Sequence, residues 1–199
     1  GGEDIGGLSI RQLRQLKVSH IPEDRMTVGM AGSLSITENA IADKVDESRF
    51  INRVGMLQYH AIRDYGADMV KRYAILCKTP DVPIASLSGG NIQKVVLARE
   101  LSSAPEIVIA DQPTRGVDVG ATEFIRKELL SLRDAGKSVF LVSSDLNELL
   151  GLADRLIVLC DGKIAAYFAD TSKITEDDLG RYMLGIDQQT AAEIDEVAK

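Results

Sequence analysis

Two stretches of this sequence contain residue types that suit the binding of phosphate groups. The first is a Ser-Gly-Gly segment that opens an apolar-periodic run, formed by Leu87, Ser88, Gly89, Gly90 and Asn91. We expect Ser88 to cap a helix that runs to about Leu101, and the N–H groups and dipole at its start favour an anion. The second is the apolar run 107–110, predicted to be a strand buried on both faces. It ends in Asp111, a carboxylate that could hold Mg²⁺ beside phosphate oxygens.

Each of these stretches also has an ordinary structural interpretation. A lone acidic residue after a strand is commonly a cap or turn residue, and two glycines can simply give a flexible helix start. The spacing between the glycines and Asp111 favours the phosphate-binding interpretation over these alternatives.

The composition describes a globular chain and limits its partners. The 199 residues are 45% hydrophobic and 27% charged, and the net charge of −7 argues against nucleic acid as a partner. Cys77 and Cys160 lie far apart in apolar surroundings and are expected to be buried free thiols. His20 and His60 have no metal-ligand spacing around them, so neither is expected to bind a metal.

The elements that must position these residues alternate between strands and helices. Strands are predicted at 18–21, 107–110 and 139–142, and the last two are expected to be buried. A hairpin is predicted from the strands 156–159 and 164–168, which flank Asp161-Gly162. Helices are predicted at 10–16, 52–74, 88–101, 120–135 and 175–184. Capping boxes at Ser9 and Ser35 predict two helix starts. The alternation over 104–160 implies a parallel sheet with crossover helices, and the acidic tail 187–199 is expected to be solvated or frayed.

The order and spacing of five motifs resemble those of ABC-type ATPases. The stretch 87–91 resembles the signature motif, 107–112 the Walker B strand, 116–118 the D-loop, 143–145 the switch region and 20–25 the Q-loop region. The Pro-Glu-Asp-Arg form of 22–25, together with 111–121, is similar to the second ATPase domain of bacterial sugar and nucleoside importers, which fuse two such domains in one chain.

The resemblance covers about residues 1–170 and implies an α/β fold, a partial P-loop NTPase core with a parallel sheet plus a helical subdomain. The implied division is a core segment at 1–32 that ends in the Q-loop region, a helical subdomain with the signature motif at 33–103, a core with Walker B, D-loop and switch region at 104–170, and a C-terminal helix and tail at 171–199.

A phosphate-cradling Gly-x-x-x-x-Gly-Lys-Ser/Thr loop does not occur in the 199 residues. The string 131–138 resembles it superficially, but it has serine for the first glycine and leads from a helix end into a strand. The family places the real loop upstream of Gly1, so the chain is interpreted as a fragment. Alone it is expected to bind ATP poorly and to be inactive.

Three further departures affect the catalytic positions. Gln112 stands where the family has the general-base glutamate, and losing such a base costs about 10²–10⁴ in rate. Ser144 replaces the switch histidine, and Glu23 stands where the family usually has glutamine near the metal. These changes affect the site on this domain's own phosphate loop and leave the signature motif unaltered.

The resemblance therefore implies an ATPase domain that powers import of a sugar or nucleoside with ATP and Mg²⁺ as cofactors. Ser88, Gly89, Gly90, Asn91 and Asp118 would contact nucleotide, and Asp111 and Glu23 would hold the metal. The implied partners are a first ATPase domain of the same protein or a dimer, which receives the signature motif, and membrane permease subunits that contact about 26–40. The implied location is peripheral, on the cytoplasmic face of the inner membrane. A non-hydrolysing nucleotide-sensing module and a non-transport ABC ATPase remain as alternatives.

Overall fold

The computed structural model describes residues 4–197, which form two compact units divided between Val142 and Ser143. The elements of the first unit are α1 (Ile10–Gln15), β1 (Val18–Ile21), α2 (Ile36–Ile41), α3 (Tyr59–Arg72), α4 (Gly89–Leu101), β2 (Ile107–Asp111), α5 (Val119–Asp134) and β3 (Ser138–Val142). A π-helical turn at Arg25–Gly29 follows β1, and a 3₁₀ turn at Ile84–Ser86 precedes α4.

The sheet of the first unit is parallel, as the alternating pattern predicts. Its strand order is β1-β2-β3, with Val18 opposite Ile107 and Ile107 opposite Ser138. Helix α4 contacts β1 and helix α5 contacts β3. The strand residues Ile21, Val108 and Ala110 are fully buried. The carboxyl ends of β1 and β2, where ligands bind in parallel sheets, lead directly into the candidate site.

The prediction that 107–110 and 139–142 are buried on both faces was wrong. Ile107 is 41% exposed, Ile109 is half-buried, and Phe140 in β3 is 57% exposed. Within the described residues β3 pairs with β2 alone, and its residues alternate between exposed and half-buried. One face of this three-stranded sheet is therefore open.

Both predicted capping boxes are confirmed, at Ser9 with Gln12 and at Ser35 with Glu38. The helix expected from about residue 52 instead begins at Tyr59. The reason is local, because the Asn52 carboxamide oxygen accepts hydrogen bonds from the N–H groups of Val54 and Met56 and closes a turn. Apolar periodicity alone could not reveal this competing turn.

Helix α4 is buried as predicted, with Ile92, Val95, Val96 and Leu101 all in the core. The two cysteines differ from the prediction. Both Cys77 and Cys160 are free thiols, but each is half-buried rather than buried. Partial burial raises the pKa of the Cys77 thiol.

The second unit contains α6 (Leu146–Leu152), β4 (Leu156–Cys160), β5 (Lys163–Phe168), α7 (Glu176–Met183) and α8 (Ala191–Val197). The predicted hairpin is confirmed, since β4 and β5 are antiparallel and Asp161 and Gly162 both have positive φ angles, +49° and +72°. Its core combines the hairpin residues Leu156, Val158, Ala165 and Ala166 with Leu179 of α7.

The tail is more ordered than the sequence indicates. The N–H of Gln189 donates to the Ala165 carbonyl oxygen, and the Gln189 side-chain oxygen accepts from the N–H of Tyr167. Thr190 then caps α8, which has no buried residue. The exposure of this helix confirms the expectation of a solvated end. Residues 198 and 199 lie outside the described residues.

Within residues 4–197, none of the helices has the length and apolar character needed to cross a membrane.

Candidate functional site

The start of α4 holds the Ser-Gly-Gly segment in an open arrangement. Ser88 has the extended backbone of an N-cap, as predicted, but within the described residues no side chain caps the helix. Its hydroxyl instead accepts a 2.9 Å hydrogen bond from the side-chain nitrogen (Nδ2) of Asn91. The Asn91 side-chain oxygen in turn accepts from the N–H of Leu76 at 2.7 Å. Asn91 therefore ties the signature segment to the chain before it.

A cavity of about 690 Å³ opens beside this helix start. Its lining is mainly apolar and includes the signature residues Ser88 and Asn91 together with Cys77. The lysine at the rim, Lys78, is exposed.

Both signature glycines pack closely against the segment that precedes α5. A Cβ atom on Gly89 would lie 3.1 Å from an Arg25 guanidinium nitrogen and 3.4 Å from the Gly116 carbonyl oxygen. A Cβ atom on Gly90 would lie 2.4 Å from an Asp118 carboxylate oxygen. Glycine is therefore required at Gly90 for close packing, in addition to any contact with a phosphate.

The D-loop is a tight turn that ends in a helix cap. Gly116 has a φ angle of +64°, which favours glycine. Asp118 is the N-cap of α5, and its carboxylate accepts a 2.9 Å hydrogen bond from the N–H of Ala121. The helix begins at Val119, one residue before its predicted start. Asp118 thus has a structural role as a cap as well as its predicted role as a nucleotide contact.

The Q-loop region lies against the same turn. The Arg25 guanidinium donates to the carbonyl oxygens of Arg115, at 2.8 Å, and Gly116, at 3.1 Å. The carboxylate of Glu23 forms an ion pair with the guanidinium of Arg115. Glu23, proposed from the sequence as a metal ligand, therefore already has a cationic partner in this structure.

Asp24, between these two residues, shapes the turn that follows. Its carboxylate accepts hydrogen bonds from the N–H groups of Met26 and Thr27 and from the Thr27 hydroxyl. The hydroxyl contact is the largest cause of a lowered pKa of Asp24. The result is a capped π-helical turn at Arg25–Gly29, a local irregularity often found at functional sites.

Asp111 and Gln112 occupy the carboxyl end of β2. Asp111 is half-buried, and its carboxylate makes no hydrogen bond or ion pair within residues 4–197. Gln112 has a φ angle of +47° in a non-glycine residue, and its N–H donates to the Val142 carbonyl oxygen at 2.8 Å. The turn is closed by a hydrogen bond from the N–H of Arg115 to the Gln112 carbonyl oxygen.

This arrangement fits a magnesium–phosphate ligand better than a protein-enclosed metal. In the part of the chain that the structure describes, no three His, Cys, Asp or Glu residues are grouped to hold a metal ion. Nucleotide-bound Mg²⁺ commonly takes one or two carboxylates, with phosphate oxygens and water as its other ligands. Asp111, a half-buried carboxylate that has no partner among residues 4–197, could serve as one of these ligands.

The switch region belongs to the second unit. Ser143 donates from its hydroxyl to the carboxylate of Glu148, which is buried, and accepts from the N–H of Asp145. Asp145 caps α6 by accepting a hydrogen bond from the N–H of Glu148. Ser144, the residue at the predicted switch position, is exposed beside this bonded pair.

The string 131–138 joins a helix end to a strand, as the sequence predicts. It runs from the last turn of α5 through Gly136, which has a φ angle of +76°, into β3. A phosphate loop leads from a strand into a helix, which is the opposite order.

Sequence reasoning missed the roles of Arg25 and Arg115. Both lie in motifs that resemble the family pattern, but the sequence assigns no contact to them, since they lie far apart in the chain. The opposite charges of Glu23 and Arg115 were the available signal, and they become informative once parallel strands are expected to bring 23–25 and 115–116 to the same sheet edge.

The fold is the α/β fold of ATP-binding cassettes, with a parallel sheet and helices packed against it. The chain superposes with a TM-score of 0.66 on the ATP-binding cassette MJ0796, solved as a dimer bound to ADP and Pi, at 24% identity over 84% of this chain and 70% of that one. It superposes with a TM-score of 0.67 on a nucleotide-free ATP-binding cassette from an ABC transporter, at 17% identity over 99% and 74% of the two chains.

A family model described as ABC transporter matches residues 2–115, more than half of the sequence, and the chain belongs to the ABC transporter family. Similar proteins include the nucleoside import ATP-binding protein NupA of Lactococcus lactis, at 36% identity over 92% of this chain and 36% of that protein. The glucose import ATP-binding protein TsgD13 of Haloferax volcanii is 38% identical over 94% and 33%. The guanosine import ATP-binding protein NupO of Bacillus subtilis is 36% identical over 96% and 37%. The chain spans about a third of the length of these relatives.

Proposed function

We propose that this chain is the second ATPase domain of an ABC importer for a sugar or a nucleoside, and that its signature residues complete the ATP site of a partner ATPase domain. The partner is the first ATPase domain of the same protein or a dimer mate. Membrane permease subunits contact about 26–40, which places the domain peripherally on the cytoplasmic face of the inner membrane. The names of the nucleoside, glucose and guanosine import proteins support this proposal.

The arrangement at the start of α4 is the observation on which the proposal rests. Ser88 is exposed, and its hydroxyl is bonded to Asn91 rather than to the N–H groups of the first turn. Those N–H groups and the helix dipole favour a phosphate that approaches from outside the domain. The adjacent Asp118 lies at the tip of the D-loop, beside Gly90.

The domain's own site is proposed to be slow. When bound there, ATP supplies the phosphoryl group that is transferred and Mg²⁺ offsets its charge. Asp111 would hold the metal, with Glu23 as a second candidate if its ion pair with Arg115 opens. Gln112 can orient a water molecule but cannot accept its proton near neutral pH. Ser144 can donate one hydrogen bond but has no switchable positive charge.

The test is the ATPase turnover of the full-length protein that contains this chain, assembled with its permease. Ser88→Tyr places a bulky side chain where the partner's phosphate would approach. We expect turnover to fall by about 10²–10³, the usual cost of losing a preorganised charge-stabilising site. Ser131→Tyr, at an exposed serine of α5, is the matched control and should retain wild-type turnover.

Gln112→Gly tests the asymmetry between the two sites, because glycine tolerates the positive φ angle at this position and removes the side chain. Turnover should stay within about twofold of wild type, since the base that would contribute about 10²–10⁴ is already absent. Unchanged turnover in Ser88→Tyr would overturn the composite site. Equal losses in Ser88→Tyr and Gln112→Gly would overturn the asymmetry.

A nucleotide-sensing module that never hydrolyses ATP is the second candidate, favoured for the domain's own site by glutamine at Gln112. It predicts that ATP changes the association of the full-length protein with its partner while turnover is absent in the wild type. Measurable wild-type turnover that is lost in Ser88→Tyr would contradict it.

A further inference from the structure

A junction within the first unit connects three segments that are distant in sequence. It consists of the Arg25 guanidinium bonded to the Arg115 and Gly116 carbonyl oxygens, together with the Glu23–Arg115 ion pair. The third segment is the signature motif, because the same guanidinium lies 3.1 Å from the position that a Cβ atom on Gly89 would occupy. We call this the Arg25 junction.

We propose that Arg25 is a positioning residue for the composite ATP site: it fixes the D-loop turn against the signature helix, so that Asp118 and Ser88 are presented to the partner domain at a constant separation. The inference rests on the proposed function and extends it to a residue that does not itself touch nucleotide.

The geometry explains why an arginine suits this position. The guanidinium is planar and always charged, and its fork of N–H groups reaches two successive carbonyl oxygens at once. Those two carbonyls belong to the turn in which Gly116 takes a φ angle of +64°. Arg25 is half-buried, and its two hydrogen bonds to the turn lie at the exposed surface.

Two other sets of contacts involve the D-loop turn and its helix cap. On one side Gly90 packs against the Asp118 carboxylate and the Ala121 methyl group. On the other side the ion pair between Glu23 and Arg115 is exposed, and such pairs contribute little by themselves. The Arg25 hydrogen bonds reach the backbone carbonyl oxygens of the turn, whereas the Glu23–Arg115 pair joins two side chains and does not fix the backbone.

The first experiment measures order and does not depend on catalysis. Amide hydrogen exchange over 113–121 is followed in the full-length protein, because the N–H groups of Arg115 and Ala121 are bonded within the turn. In Arg25→Ala we expect exchange in this segment to accelerate about tenfold, since the opening free energy falls by roughly one hydrogen bond. Arg11→Ala removes an exposed ion pair with Asp46 and should leave this segment unchanged.

The second experiment measures turnover of the assembled full-length protein. Arg25→Ala is expected to lower kcat about tenfold, equivalent to about 1.4 kcal/mol, with KM for ATP within about twofold of wild type. Arg25→Lys keeps the charge but can satisfy the two carbonyls less well, so its kcat should be intermediate. Turnover is normalised to the fraction of protein that is folded and assembled, so a residue that merely stabilised the fold would leave the normalised kcat at the wild-type value in both variants.

Each outcome decides the inference. Faster exchange in 113–121 together with the kcat order wild type, Arg25→Lys, Arg25→Ala supports the positioning role. Unchanged exchange in Arg25→Ala overturns it, even where Ser88→Tyr abolishes turnover and so upholds the proposed function. Faster exchange with wild-type kcat overturns the link between the Arg25 junction and hydrolysis.

Discussion

Helix α4 has two ends of opposite character. At its start, Ser88 is exposed, and both glycines leave the backbone close to the D-loop. Near its other end, Glu100 is fully buried and bonded to the guanidinium groups of Arg14 and Arg99. At one end no side chain within residues 4–197 caps the helix, whereas at the other end the buried charge is paired inside the protein.

The comparison shows how one helix can serve both binding and stability. The carboxylate of Glu100 also accepts from the N–H of His20 at 3.3 Å, and the Glu100 carbonyl oxygen accepts from the Ser19 hydroxyl. These bonds fix α4 against β1. Because the far end is held in this way, the start of the helix can remain open without loosening the packing.

The ionisation of Arg14 reflects the same buried pair. Burial by itself lowers the pKa of Arg14, but the hydrogen bond and the charge of Glu100 raise it, and the net effect is a raised pKa. The guanidinium therefore stays charged while it is half-buried. Removing its partner leaves a charge in a poorly solvated place.

Removing the buried carboxylate of Glu100, near the end of α4, should have the largest effect on stability. Glu100→Ala is expected to lower the free energy of unfolding by about 3–5 kcal/mol, because Arg14 and Arg99 lose their buried counter-charge. Urea unfolding followed by circular dichroism measures this change. Glu106→Ala, at an exposed carboxylate paired with Lys137, is the matched control and should change stability little. Equal losses in the two variants would show that burial of Glu100 does not determine its contribution.

Adding a methyl group at Gly90, in the first turn of α4, should also lower the free energy of unfolding, but by less. Gly90→Ala forces a methyl group against Asp118 and Ala121, and we expect a loss of about 1–3 kcal/mol. Gly180→Ala in α7 is the control, because nothing lies within 4 Å of the added Cβ atom. There the reduced chain entropy of alanine should stabilise the helix by about 0.5–1 kcal/mol. Thermal unfolding of both variants checks the opposite signs, and a stabilised Gly90→Ala would refute the close packing.

The architecture was largely predictable from the sequence because its signals are local. Capping boxes at Ser9 and Ser35, apolar runs for the strands and the Asp161-Gly162 turn each depend on a few neighbouring residues. The start of α3 could not be predicted in this way, since the Asn52 carboxamide closes a turn that competes with the helical periodicity. The open face of β3 was also hidden, because an apolar run does not show whether another layer covers it.

The candidate site was predictable as a set of positions but not as a set of contacts. The sequence located Ser88, Asp111 and Asp118 on the correct element ends. It could not show that Glu23 is paired with Arg115, or that Gly90 is packed against Asp118, because these contacts join residues far apart in the chain. Their roles in binding nucleotide and metal stay predictions.

The smallest effect on stability is expected at surface carboxylates, which are exposed to water, unlike the buried Glu100. Hydrogen bonds from the Thr175 hydroxyl and N–H lower the pKa of Asp178 at the start of α7. Since the folded-state pKa lies below the ordinary value of 3.8, this contribution is present above about pH 4 and is lost as the pH falls through the lowered pKa. Stability of the second unit should therefore decline on acidification below about pH 4.

Asp178→Asn should weaken this decline, because the cap no longer titrates. Asp177→Asn, at the exposed neighbour with no hydrogen bond in the described chain, should keep it. Thermal unfolding of the two variants at pH 6 and pH 3, followed by helical circular dichroism, measures the difference. The same acid dependence in both variants would mean that the Thr175–Asp178 cap contributes nothing in solution, and that exposed capping carboxylates in this chain differ from buried Glu100 even more than their geometry indicates.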